Sequence, residues 1–168
     1  CLKLKLEGLD LAQLVTATVD EMRSLVEQKN LELQVNINLQ NPFIVNDSTR
    51  LKQVLVNLLS NAIKFTDAGR VQIDVWELPA NNIAIAFKDT GIGIASSDID
   101  LIFREFHQLN QTLTRQHGGT GLGLAITDRL VRMMQGKITV ETRLDEGSTF
   151  RVEIPRQVSS EVKSINEV

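Results

Sequence analysis

Val71-Gln72-Ile73-Asp74-Val75-Trp76-Glu77-Leu78-Pro79-Ala80-Asn81-Asn82-Ile83-Ala84-Ile85-Ala86-Phe87 is the stretch on which the fold class turns. Val71, Ile73 and Val75 recur with a period of two, and so do Ile83, Ile85 and Phe87. That period predicts two strands, each with one covered face. Pro79-Ala80-Asn81-Asn82 between them is turn chemistry. A connection this short joins neighbours that run antiparallel. Strands therefore do not alternate one-for-one with helices along this chain, which implies a mixed sheet with helices on one face.

The same patterns extend outward. Upstream, Leu31, Leu33, Val35, Ile37 and Leu39 alternate with Glu32, Gln34, Asn36 and Asn38, a third strand that Asn41-Pro42 breaks. Two segments have helical spacing. Leu11, Leu14, Val15, Met22, Leu25 and Val26 follow Asp10, a plausible N-cap, and the helix is expected to end near Lys29. Leu51, Val54, Leu55, Leu58, Leu59 and Ala62 follow Asp47-Ser48, either of which can cap. Downstream, a long helix is expected from about Thr120, with Leu122, Ile126, Leu130 and Met133 on one side and Gly136 as its stop. Strands over 137–142 and 149–154 close the pattern. The expected fold is α+β: a two-layer sandwich with a mixed, mostly antiparallel five-stranded sheet covered on one face by three helices.

Composition narrows the function. Eighteen Lys and Arg against 21 Asp and Glu leave a net charge of -3, which excludes a strongly basic nucleic-acid binder. A single cysteine excludes a disulfide framework and a Cys-rich zinc site within the chain. Six Phe, one Trp and no Tyr argue against a stacking platform for single strands. No apolar run approaches the roughly 18 residues that a spanning helix needs. Glycine is the anomaly. Of ten, only Gly8 falls within the first 68 residues, and six fall between Gly91 and Gly123. Such crowding marks backbone of unusual conformation or close approach.

Three segments carry chemistry. On the second helix Asn57, Asn61 and Lys64 lie at i, i+4 and i+7, a polar stripe flanking the apolar face. A solvated stripe and the lining of a cleft both fit that placement. Asp89-Thr90-Gly91-Ile92-Gly93 follows a strand. It reads either as a plain turn, or as a site where Asp89 accepts from an exocyclic amine, as on adenine, while two glycines let backbone approach a flat ligand. His117-Gly118-Gly119-Thr120-Gly121-Leu122-Gly123-Leu124 opens a helix, and glycine-rich backbone entering a helix N-terminus suits phosphate. There is no Gly-x-x-x-x-Gly-Lys-Ser/Thr, so no Walker loop. No strand-like segment precedes the glycines, so a dinucleotide fingerprint is excluded as well.

Taken together these segments resemble the catalytic, ATP-binding domain of sensor histidine kinases, within the GHKL group of ATP-binding domains. The resemblance runs over about residues 8 to 156. Val54 through Thr66 resembles the family's N box, Asp89 to Gly93 its first glycine box, Phe103-Arg104-Glu105-Phe106 its F box, and Gly119 to Leu124 its second glycine box. The resemblance implies ATP and Mg²⁺ as cofactors, with Asn61 the metal ligand through its amide oxygen. Asn57 would hold the nucleotide–metal region, Lys64 a phosphate, and Asp89 the adenine. Asn57 and Lys64 are the residues expected to act in catalysis. Gly91 and Gly93 would shape the floor under the base. Gly119, Thr120, Gly121, Leu122, Gly123 and Leu124 would form the phosphate side and the hinge of a lid over about 108–119. Arg115 would touch phosphate from that lid, and Phe103 and Phe106 would anchor its near end.

Two departures from the pattern matter. Hydrolysing members of the group carry a Glu four residues before the metal-binding Asn, as general base on water; here that position is Asn57, which takes no proton at neutral pH. This favours holding ATP for transfer over a GHKL ATPase. A degenerate regulatory module that binds nucleotide without catalysis is the other alternative. The second departure is that no phosphoacceptor segment is present. His107 and His117 both flank the lid, and the acceptor is expected on a dimerisation domain upstream. Residues 1–9 then read as a link from that domain, 10–156 as the ATP-binding domain and 157–168 as a polar tail or linker. The wording Phe106-His107-Gln108-Leu109 resembles hybrid kinases, which carry a receiver domain downstream. The resemblance implies a cytoplasmic domain, monomeric as this fragment and homodimeric in a full-length protein, with or without a membrane anchor elsewhere.

Overall fold

A computed structural model of the chain describes residues 3–93 and 122–159. In chain order the elements are β1 (Glu7–Asp10), α1 (Leu11–Gln28), β2 (Glu32–Asn38), β3 (Phe43–Asn46), α2 (Ser48–Lys64), β4 (Arg70–Leu78), β5 (Asn82–Asp89), α3 (Leu122–Met133), β6 (Lys137–Arg143) and β7 (Gly147–Pro155). One turn of 3₁₀ helix, Pro79–Asn81, joins β4 to β5. The turn that decided the fold class is therefore a tight reversal, with Ala80 and Asn81 both at positive φ.

Both expected N-caps are present. Asp10 accepts from the Gln13 N–H at 2.9 Å and Asp47 from the Arg50 N–H at 3.0 Å, each satisfying a donor that the first helical turn leaves unpaired. The stop after α3 works differently from the expectation. Gln135, not Gly136, takes the left-handed conformation (φ 64). Gly136 is needed because a Cβ there would lie 2.3 Å from the Glu153 carbonyl oxygen on the neighbouring strand.

The sheet order is β2-β4-β5-β7-β6, with β2 parallel to β4 and every other pair antiparallel. This is the expected mixed, mostly antiparallel five-stranded sheet with three helices. Val15, Val19 and Met22 of α1, Leu51, Leu55 and Leu58 of α2, and Leu130 and Val131 of α3 share one buried cluster with Ile73, Ile85, Phe87, Val152 and Ile154 of the strands. Burying each such side chain is worth about 1.5–3 kcal/mol. The opposite face is not uniformly wet. Trp76 pairs with Ala84 and Arg151 with Ala86 across adjacent strands, and the Arg151 guanidinium sits 5.0 Å from the Trp76 ring. Beneath that pair Ala84 and Ala86 are fully buried.

Periodicity missed a second, two-stranded sheet. β1 pairs antiparallel with β3, so the expected link over residues 1–9 is strand from Glu7 onward. The expected tail also packs at its start: Gln157 bridges to Val45, and Val158 is buried. Arg156 ties these parts together. It donates to the carbonyls of Asn41 (2.6 Å) and Phe43 (2.9 Å), to Asn81 Oδ1 (3.2 Å) and to Glu77 Oε2 (3.1 Å). Four residues are too few to show a period, which is why sequence patterning passed over β1 and β3.

Candidate functional site

Asp89 ends β5 in register between Val71 of β4 and Ser148 of β7, and Ser148 is in turn opposite Thr142 of β6. The next row on the same face is Ile73, Phe87, Phe150 and Val140. Asp89 thus stands at the end of the apolar inner face, where the covered side of the sheet runs out. Its Oδ1 accepts from the Gly91 N–H at 2.9 Å and the Ser148 N–H at 3.3 Å. Burial pushes the Asp89 carboxyl above its ordinary value of 3.8, against the opposing pull of those two backbone donors. Beside it an open cleft of about 510 Å³ is lined by Asp89, Val140, Thr142, Arg143, Glu146 and Ser148, among others. That is the size of an ordinary small-ligand site.

The loop after Asp89 is pinned on both sides. Ile92 N–H donates to the Phe65 carbonyl just past α2 (3.2 Å), and the Ile92 carbonyl accepts from Asp145 in the β6–β7 turn (2.7 Å). Gly91 and Gly93 are glycines because protein backbone crowds them. A Cβ at Gly91 would lie 2.1 Å from the Phe65 carbonyl oxygen, and one at Gly93 2.0 Å from that of Arg143. The close approach expected to a flat ligand is, in the described structure, an approach to α2 and to the β6–β7 hairpin.

Through Phe65, the last turn of α2 adjoins this loop. Asn57, Asn61 and Lys64 are all half-buried on α2. Asn57 Nδ2 donates to Thr127 Oγ1 of α3 at 3.0 Å. The Asn61 side chain makes no hydrogen bond to a described residue. Lys64 lines a groove of about 340 Å³ between the ends of α1 and α2, together with Lys29 and Ser60. Lys29 Nζ closes that end of the helix by donating to the carbonyls of Ile63 (2.8 Å) and Lys64 (3.3 Å), a cation where the helix dipole favours one. The stripe is therefore no uniform solvated face: its members meet α3 at Asn57 and the α1 groove at Lys64.

Phe103, Phe106, Arg115, Gly119, Thr120 and Gly121 lie outside the described residues, as does most of the expected lid. Leu122 and Gly123 begin α3, and Leu124 is buried in the core. Two hydroxyl residues were not anticipated. Thr142 Oγ1 and Ser148 Oγ lie 2.7 Å apart, and Ser148 is buried beside Asp89. Ser148 could have been flagged only by pairing β7 with β5 in register, because Gly147-Ser148 by itself reads as a turn.

Residues 46–158 match the family model described as histidine kinase-, DNA gyrase B-, and HSP90-like ATPase. The chain belongs to this family. Its relatives are sensor and hybrid histidine kinases. It is 40% identical to the circadian input-output histidine kinase CikA of Synechococcus elongatus over 157 residues, covering 92% of this chain and 21% of that protein. It is 41% identical to the signal transduction histidine-protein kinase BarA of Escherichia coli over 143 residues, covering 80% of this chain and 16% of BarA. The histidine kinase-like chain thus spans about a fifth or less of these curated relatives. Among solved structures, full-length ShkA in complex with AMPPNP superposes with a TM-score of 0.82 at 31% identity, covering 95% of this chain and 33% of that one. The catalytic domain of the histidine kinase ThkA gives 0.80 at 26% identity, covering 91% and 97%. Fold and family agree with the α+β sandwich of histidine kinase catalytic domains. Among the described residues no helix is long and apolar enough to cross a membrane.

Proposed function

We propose that this domain binds Mg²⁺–ATP and passes the γ-phosphoryl group to a histidine on a separate dimerisation domain, as the catalytic part of a two-component sensor kinase. The observation that carries the reading is Asp89. It is a buried carboxylate whose Oδ1 is held by two backbone N–H groups, beside a cleft of about 510 Å³. A carboxylate accepts and does not donate, so this corner suits a ligand with an amine, as adenine has. The relationship to ShkA, whose structure holds the adenine nucleotide analogue AMPPNP, supports the same ligand.

The donor set fits a hard cation that arrives with its nucleotide. Among the described residues no group of three or more His, Cys, Asp or Glu could hold a metal. The Asn61 amide oxygen, with no hydrogen-bond partner among the described residues, is the kind of ligand Mg²⁺ takes when phosphates and water supply the rest. Mg²⁺ would supply neutralisation of phosphate charge. Asn57 and Lys64 would steady the phosphate side, and Asp89 the base, with the loop of Gly91 and Gly93 pinned beside it by the backbone of Phe65 and Arg143. Phe103, Phe106, Arg115 and 119–124 would supply the lid and its hinge. Catalysis would then be positioning and charge neutralisation. The partners in this reading are an upstream acceptor domain that dimerises the full-length protein and a downstream receiver domain, all on the cytoplasmic side.

Asn57 bears on the competing ATPase reading. The position four residues before Asn61 holds an amide that donates to Thr127 and takes no proton from water at neutral pH. Incubated alone with γ-labelled ATP and Mg²⁺, the chain is expected to bind nucleotide and to acquire no acid-labile phosphate. Substantial acid-labile label on the chain itself would overturn the claim that the acceptor lies elsewhere.

A further inference from the structure

A carboxamide is nearly symmetric in shape and opposite in chemistry at its two ends. Half a turn about its last bond exchanges an acceptor oxygen for two N–H donors. Something must therefore choose which end Asn57 presents. In this structure Asn57 Nδ2 donates across the helix interface to Thr127 Oγ1 at 3.0 Å, and Thr127 is 0% exposed. The helical threonines Thr16 and Thr18 spend their single hydroxyl proton on the carbonyl four residues back, at 2.8 Å each. A helical threonine that does the same keeps lone pairs for another donor, and at Thr127 the –NH₂ end of Asn57 is what meets them. Asn57 Oδ1 accepts from no described residue, on a side chain that is only half-buried.

We infer that Thr127 is a positioning residue: by holding Asn57 Nδ2 it fixes the carboxamide with its oxygen outward, toward the nucleotide side of α2. The inference rests on the nucleotide reading above and deepens it. One turn further along α2, Asn61 lies on the same stripe, so two amide oxygens are offered to the cation and its waters, not to phosphate oxygens, which only accept. Thr127 sits in the first half of α3, the helix that the glycine-rich segment opens. Its hydroxyl therefore also ties the orientation of Asn57 to the seating of α3 on α2.

Thr127→Val keeps the shape and removes the acceptor; Thr127→Ser keeps the acceptor. ATP binding is measured by titration calorimetry on the full chain over a range of Mg²⁺ concentrations and in its absence. Thr127→Val is expected to raise the Mg²⁺ concentration needed for half-maximal tightening of ATP binding by about 10-fold, the low end of what losing an outer partner around a metal site costs, Asn57 acting on the waters around the ion that Asn61 ligates. Binding without Mg²⁺ should stay within about twofold, a change worth only a few tenths of a kcal/mol. Thr127→Ser should restore the wild-type requirement. In NMR spectra of the free protein, the Asn57 side-chain amide protons should exchange faster with water in Thr127→Val than in wild type or Thr127→Ser. An unchanged Mg²⁺ requirement in Thr127→Val, equal loss with and without Mg²⁺, or no rescue by serine would overturn this inference alone. Wild-type protein that binds no ATP with Mg²⁺ would overturn the nucleotide reading and this inference with it.

Discussion

Asp89 does two jobs that pull against each other. Its Oδ1 organises the loop by accepting from Gly91 and Ser148, while burial makes its charge costly. Asp89→Ala should weaken ATP binding by about 1–3 kcal/mol, the cost of leaving a donor unpaired in a partly dry site. Unchanged affinity by calorimetry would remove Asp89 from the site. The pH dependence has a definite sign. A folded-state value above 3.8 means that the native state holds this proton more tightly than the unfolded chain does. The stability contributed is full below the unfolded value and is lost as pH rises through the folded one. Asp89→Asn keeps an acceptor oxygen and removes the ionisation. Its stability relative to wild type should therefore improve as pH is raised from below 3.8 toward neutrality, read from urea unfolding at each pH. A difference that does not change with pH would contradict the assignment.

Gly91 teaches a different lesson at the same scale. Sequence reading gave the Gly-x-Gly pair to the ligand, but the atoms nearest an added Cβ belong to Phe65 and Arg143. Spacing reveals that close approach is needed and not what approaches. Gly91→Ala would force its Cβ against fixed backbone, so it should destabilise the fold by about 2 kcal/mol or more. A thermal midpoint equal to wild type would show that the loop can move aside.

Among the elements, those with a long period were legible. β2, β4, β5 and both long helices announced themselves by alternation or three-and-four spacing, and their caps were readable at Asp10 and Asp47. β1 and β3 were hidden for a physical reason. Each has four residues, and they pair across more than thirty residues of intervening chain. β3 is in turn held to the β4–β5 hairpin by Arg156, whose four partners lie on Asn41, Phe43, Glu77 and Asn81. Nothing local to Arg156 in sequence signals such a clasp. Arg156→Lys keeps the charge but cannot serve a fork of partners with one ammonium group. It should cost about 1.5–3 kcal/mol in urea unfolding, the worth of one hydrogen bond to a charged group. It should leave ATP affinity unchanged. An equal loss of ATP affinity would mean that the β1–β3 ribbon communicates with the site.

For the molecule as a whole, Asp89 and Ser148 meet at one end of the sheet, and the loop after Asp89 is tied through Ile92 to Phe65 just past α2. On α2 itself, Thr127 of α3 holds Asn57, while Lys64 lines the groove toward α1. The family was legible because four motifs stand in order along the chain. Ser148 and Thr142 were not, because their place beside Asp89 depends on strand register. The central claim is that this corner presents ATP to a histidine on another domain and not to water. The most direct test mixes the chain, γ-labelled ATP and Mg²⁺ with the separately made histidine-bearing helical domain of a hybrid kinase relative. Acid-labile, alkali-stable label on that domain's histidine, with negligible phosphate release by the chain alone, is the predicted result. Steady phosphate release to water by the chain alone, with no label on the acceptor, would contradict it.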